Sequence, residues 1–185
     1  MTRAQIGRPR NAAPRILDAA RRIAAREGAG NITIDAVALE TGLSKGGVLY
    51  NFRSKDALLA GLLDDMIAEH RTRLASVPRN ATSPTLRGHL ETLQHASSLN
   101  IDLSMAILAV AAEKPELLDP LRDELSRDLE RIDEEASDQT GATLLLLAIQ
   151  GLKFHKLLKL PGGGEGRQSA VLRRLEEMID ELDEN

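Results

Sequence analysis

The 185-residue chain has no cysteine, no tryptophan, one tyrosine and two phenylalanines. Without cysteine it can hold neither a disulfide framework nor a thiolate metal or redox centre, which suits a reducing cytoplasmic location. Long apolar runs are missing too. The longest candidate, TLLLLAIQGLKFHKLLKL at 143–160, is interrupted by lysines and does not read as a bilayer span. The basic N-terminus has no apolar stretch behind it, so it does not read as a signal peptide. The β-branched and aromatic alternation of strands is absent. What is present is 42% hydrophobic residues, enough for a core, recurring at helical spacing almost throughout. The expectation is an all-α chain of about nine helices.

Net charge is −4, but it is unevenly placed. Residues 1–55 hold ten Lys and Arg against four acids, a net of +6, while residues 56–185 carry −10. A basic head on an acidic body points to an anionic partner for the head. Residues 1–12 read as a flexible basic arm. Its GRPR at 7–10 has two readings: Arg8 and Arg10 inserted into a narrow minor groove, or a solvated tail drawn to phosphates.

Helix signals divide the rest. Pro14 suits the first turn of a helix from Ala13, and Gly28 ends it. Thr33 caps a second helix, with Ile34, Val37 and Ala38 facing inward, and Gly42 ends that helix. Ser44 caps a short third helix from Lys45 to Asn51, and Ser54 caps a long fourth that Pro78 ends. SVPRNATSP at 76–84 reads as the hinge between head and body. Further helices are expected at 84–98, 101–113, 116–137, 141–160 and 166–182, with Pro120 marking a kink or a later start.

The stretch TGLSKGGVLYNFRSKDALL at 41–59 is the most informative. A glycine costs about 1 kcal/mol in a helix interior, yet Gly46 and Gly47 stand side by side in a seven-residue helix. Two helices joined by a tight turn, the second basic at its start, form a helix-turn-helix whose second helix enters the major groove. Side-chain-free glycines would let that helix approach DNA closely. Tyr50 could reach a phosphate and Asn51 an adenine, while Lys55 would contact phosphate from the next helix start. The competing reading makes SKGG a plain interhelical turn and places Tyr50 and Phe52 in the core.

The stretch 13–63 resembles the N-terminal domain of TetR/AcrR-family transcriptional regulators, most specifically through ALETGLSKG at 38–46, the run ending at Phe52, and SKDALL after it. The commoner family pattern has Thr-Leu-Tyr after Gly46 and an aromatic just before Phe52; here GVLYN fills those places, as in a Gly-Gly subset. The resemblance implies double-stranded operator DNA as a partner, with Lys45 in docking and Lys55 on a phosphate; Thr33, Ser44, Gly46, Gly47, Tyr50 and Asn51 are the further candidate DNA-binding residues. For the body it implies a cavity for a small effector, with Met66, His70, His95, Met105 and Phe154 as candidate lining. It also implies a homodimer through the last two helices, whose apolar faces are too wide for one neighbour to cover. Leu145, Leu152, His155, Leu172 and Leu175 are the candidate contacts. So few aromatics favour an aliphatic cavity for a modest apolar ligand over a stacking cage for flat cations.

Enzyme signals are weak. His89, His95 and His155 lack metal-ligand spacing with nearby acids, PGGGEG at 161–166 lacks the Lys-Ser/Thr of a phosphate loop, and no serine sits in a nucleophile elbow. The expectation is a ligand-responsive DNA-binding repressor with no cofactor and no metal. It would comprise the arm at 1–12, a helix-turn-helix domain at 13–56 and a ligand-binding and dimerisation domain at 57–185. The rival is a helical protein–protein adaptor whose basic head binds an acidic partner.

Overall fold

The computed structural model describes residues 12–162 and 164–183. These contain nine α-helices and no strand: α1 Ala13–Glu27, α2 Ile34–Thr41, α3 Lys45–Asn51, α4 Lys55–Ser76, α5 Pro84–Gln94, α6 Ser98–Ala111, α7 Asp119–Glu135, α8 Gln139–Leu157 and α9 Glu165–Asp180. No described helix is long and apolar enough to cross a membrane. The chain forms two compact units that part at Leu62/Leu63, inside α4, rather than at the expected hinge loop. Arg8 and Arg10 lie outside the described residues.

In the first unit each helix end has a local cause. Pro14 sits in the first turn of α1, and Gly28, at φ 88°, closes it with its N–H on Ala24 O. The apolar stripe Ile16, Ala20, Ile23 and Ala24 is buried, and a fully buried isoleucine contributes about 1.5–3 kcal/mol. Thr33 Oγ1 accepts from Ala36 N at 3.1 Å and starts α2. Gly42 ends α2 in the left-handed region at φ 68°, where a side chain would be strained. Val37 and Ala38 are buried as expected, whereas Ile34, in the first turn, stays half-buried.

The second unit is built on Leu86, Leu90 and Leu93 of α5, Ile132 of α7, Leu145, Leu146 and Ile149 of α8, and Leu175 and Ile179 of α9. Several helix ends differ from expectation. α5 stops at Gln94, and α6 begins at Ser98 because Ser97 Oγ caps it by accepting from Asn100 N at 3.2 Å. A 3-10 turn over Pro115–Leu118 precedes α7, so Pro120 falls in the first turn, where its missing N–H costs nothing. Asp138 Oδ1 caps α8 by accepting from Gly141 N at 2.9 Å, starting it at Gln139.

α4 and α5 touch most closely at Gly88. A Cβ there would lie 2.6 Å from Leu74 Cδ1 and 3.1 Å from Leu74 Cα. The second of these is backbone and cannot swing aside. Gly88→Ala is therefore expected to destabilise the protein by about 1–3 kcal/mol through overpacking, despite alanine's better helix propensity. Denaturant midpoints check this, and an unchanged or raised midpoint would show that the crossing can widen freely.

Candidate functional site

The first candidate surface is the α2–α3 corner. The Ser44 hydroxyl accepts from Gly47 N at 3.0 Å, so the α3 start is held by its own cap. Val48 is the only buried residue of α3, leaving the rest of this short helix at or near the surface. Tyr50 is 80% exposed, whereas the Phe52 ring packs at the Gly61 site, where a Cβ would lie 2.7 Å from it. The core reading thus holds in part for Phe52, which is half-buried, and fails for Tyr50.

Gly46 and Gly47 meet no internal demand. Neither has positive φ. A Cβ on Gly46 would have Ser44 Oγ at 4.0 Å as its nearest neighbour, and one on Gly47 would make ordinary contacts at 3.4 and 3.7 Å. The helix would be more stable with alanine at both positions, so the protein's own packing does not explain the glycines.

The polar groups around them are occupied, but mostly by partners that can be exchanged. Lys45 Nζ pairs with Asp35 at 3.0 Å, both largely exposed. Lys55 Nζ donates to Gly30 O at 3.4 Å. Thr33 is exposed, with its hydroxyl on the α2 cap. Asn51 Nδ2 donates to Gly47 O at 2.9 Å, so the amide expected to read a base is folded onto its own helix. Arg22 and Arg26 clamp Glu40, each at 3.0 Å, and Arg22 first, then Arg26, holds that carboxyl below its usual range.

The second candidate is a cavity of about 390 Å³ within the second unit, with a mainly aliphatic wall that includes Leu63, Ile67, Ile107, Leu121 and Leu125. Met66, His70 and Phe154 line it. His95 and Met105 do not, which corrects two expectations. His95 is the residue that ends α5, with Nδ1 against Glu91 O, and Met105 is 41% exposed on the outer side of α6.

A polar network on the wall went unseen in the sequence. Asp128, fully buried, accepts at Oδ2 from His70 Nε2 at 3.0 Å and His89 Nε2 at 2.9 Å, and at Oδ1 from Arg131 at 2.8 Å. With Nε2–H of His89 donating to the carboxylate, its Nδ1 is left to accept from Lys153 Nζ at 3.1 Å. Glu124, also buried, is held by Arg71 and Arg127. His70, His89 and Asp128 present ligand atoms within 4.8 Å of one another, a spacing open to a metal ion. In this structure those atoms are engaged with one another.

Burial sets the protonation of this wall. It pushes the His89 imidazole down from 6.5 to about 4, against the pull of Asp128. It pushes the Lys153 ammonium down from 10.5 to about 8, again opposed by Asp128. Burial alone would raise the Asp128 carboxyl, but the hydrogen bonds from His70 and His89 prevail and hold it well below the carboxylate range.

The expected dimer contacts also need correction. Leu145 and Leu175 are buried inside their own protomer, and Leu152 and Leu172 pack half-buried against the same core; His155 is half-buried. The outward face of α8 is one residue away. Leu144 is 63%, Leu147 57%, Phe154 55% and Leu158 42% exposed, with exposed Gly151 between them, at steps of three and four. Val171 and Met178 extend exposed apolar surface onto α9.

Two family models match this chain: "Bacterial regulatory proteins, tetR family" over residues 16–62, and "Tetracyclin repressor-like, C-terminal domain" over residues 83–180. A transcriptional regulator from Rhodococcus sp. Rha1 is 24% identical, with 91% of this chain and 92% of that one covered and a TM-score of 0.66. A member of the TetR family from Streptomyces coelicolor A3 is 23% identical, with 90% and 98% covered and a TM-score of 0.65. The multidrug binding protein EbrR, solved with imidazole, is 25% identical, with 91% and 96% covered and a TM-score of 0.64. Among curated proteins, none has a matching sequence.

Between pH 6.5 and about 4 an unfolded chain binds a proton at His89 that the folded protein refuses. Stability is therefore expected to fall as pH drops through that window, by up to about 3 kcal/mol from this group. Chemical denaturation of the wild type and His89→Gln across that range isolates the contribution. Parallel curves for the two proteins would contradict it.

Proposed function

The chain belongs to the tetR family of bacterial regulatory proteins, and from that premise we propose that α3 is its recognition helix and the second-unit cavity its effector site. The protein is a ligand-responsive DNA-binding transcriptional regulator, not an enzyme. The proposed division is a DNA-binding domain at 13–56 and a ligand-binding and dimerisation domain at 57–185.

The observation that carries the DNA reading is that no close contact requires a glycine at Gly46 or Gly47, on a side-chain-capped helix with one buried residue. Bare backbone on that face lets the first turn of α3 approach base edges in the major groove. Tyr50, Lys45 and Lys55 then serve phosphates, with Lys45 exchanging Asp35 for DNA. Supporting the effector reading are the aliphatic cavity with a few polar groups on one wall, and the likeness to EbrR, a multidrug binding protein. α4 begins with Lys55 at the DNA-binding end and carries Met66 and His70 to the cavity, so it is the element through which an effector would act. By linkage, an effector that favours the arrangement unfit for DNA weakens operator binding by the same coupling free energy that DNA exerts on the effector.

Gly47→Leu tests the recognition helix. The variant is expected to fold with equal or higher stability and to lose binding to duplex operators selected by the wild type from random sequence. Wild-type affinity would rule out close backbone approach.

The exposed stripe on α8, continued on α9, is proposed as the homodimer surface, because two heads must engage two half-sites together. Leu147→Glu is expected to sediment as a monomer and to bind the selected operators weakly. A variant that remains dimeric would place the interface elsewhere.

A further inference from the structure

The cavity wall is electrostatically unbalanced. Glu69 and Arg73 of α4 bring one charge of each sign to it, and its other acids, Glu124 and Asp128, are paired from behind by Arg71 and Arg127 and by Arg131. Lys153 and Lys156 also face the cavity, and neither forms an ion pair among the described residues. The hydrogen bonds they make go to neutral acceptors: Lys153 Nζ to His89 Nδ1 at 3.1 Å, and Lys156 Nζ to Leu93 O at 2.9 Å. Asp128 attracts the Lys153 ammonium only from across the His89 imidazole, and an ammonium taken from water without an anion in direct contact is costly. Burial lowers the Lys153 pKa to about 8 without discharging it at neutral pH.

The surroundings keep that charge in place. Asp128 binds His89 Nε2–H and so turns Nδ1 into an acceptor, which holds Lys153 Nζ on the wall. A single ammonium gives three donors, of which His89 takes one.

Resting on the reading of this cavity as the effector site, we propose that the effector is an amphiphilic monoanion, a carboxylic acid with an aliphatic body, whose carboxylate accepts from Lys153 Nζ while its body lies against Leu63, Ile67, Ile107, Leu121 and Leu125. A phosphate fits the wall poorly. It would bring a second charge and a third acceptor oxygen against His89 Nδ1, itself an acceptor, and against a Lys156 ammonium already donating to backbone. Phe154 is the one phenyl ring among the described lining residues, and the rest of the apolar wall is aliphatic, which favours an aliphatic body over a flat aromatic one.

Calorimetric titration of the full-length protein with octanoate, octanol and octylamine separates head from body. The wild type is expected to bind octanoate at least about tenfold more tightly than octanol, as suits a hydrogen bond to a charged group, and octylamine most weakly. In Lys153→Met and in Lys153→Gln that ratio should fall to near one, with octanol affinity kept. The glutamine variant retains a donor for His89, so it removes the charge without orphaning Nδ1. Equal binding of acid and alcohol by the wild type overturns the anionic head, and an acid preference that survives both substitutions overturns the contact to Lys153; either result leaves the cavity as effector site. Failure of all three probes removes the cavity reading itself, and the proposal with it. Stoichiometric uptake of Zn2+ by the wild type, lost in His70→Ala, would reassign the histidines and Asp128 to a metal and overturn the proposal.

Discussion

A carboxylate with no contact to water dictates the arrangement of the second unit. Asp128 is fully buried, and an unpaired charge in that position would cost several kcal/mol. Its partners come from three helices: His70 from α4, His89 from α5 and Arg131 from its own α7. Through His89 the network reaches a fourth, since Lys153 of α8 completes the chain. Removing one partner from such a buried cluster typically costs about 3–5 kcal/mol, because what remains is a charge without compensation. The apolar core elsewhere in the unit sets how closely the helices approach. The carboxylate sets which faces they present, and so makes one wall of the cavity polar.

The glycines divide along similar lines. Gly88 and Gly61 are filled from inside the protein, by Leu74 and by the Phe52 ring. At Gly46 and Gly47 a side chain would meet no more than ordinary contacts, with Ser44 and Leu43. A glycine whose absent side chain makes room for a neighbour is explained by folding. One that leaves only solvent beside an exposed helix has to be explained by a partner, and it is the pair on α3 that stands next to Tyr50 and Lys45.

Much of the first unit was legible because its determinants are local. Thr33, Gly42 and Ser44 act on backbone groups within four residues of themselves, so a linear reading recovers α2, α3 and the turn between them. The second unit was legible as helices but not as faces. An error of one residue turns a helix face by about 100°, which is why Leu145 was assigned outward when Leu144 and Leu147 are the exposed pair. His95 reads as a cavity residue in the sequence but lies past the end of α5, whereas His89, a turn and a half inside that helix, lines the cavity. The Asp128 network joins residues 39 to 58 positions apart, and no spacing rule links them. The one local clue is that Glu124 and Asp128 share with Ile132 a face of α7 at steps of four, yet α7 is so rich in acids that nothing marks these two as buried.

Tyr50 is the sole tyrosine of a chain without tryptophan, and it projects from α3 with 80% of its surface in water. Ultraviolet emission excited near the tyrosine band therefore comes from one known ring. The proposed effector cavity and the exposed face of α8 hold no competing indole or phenol, so they are optically silent. Quenching or polarisation of the native fluorescence reports the surroundings of the proposed recognition helix directly, with no label attached and no residue replaced.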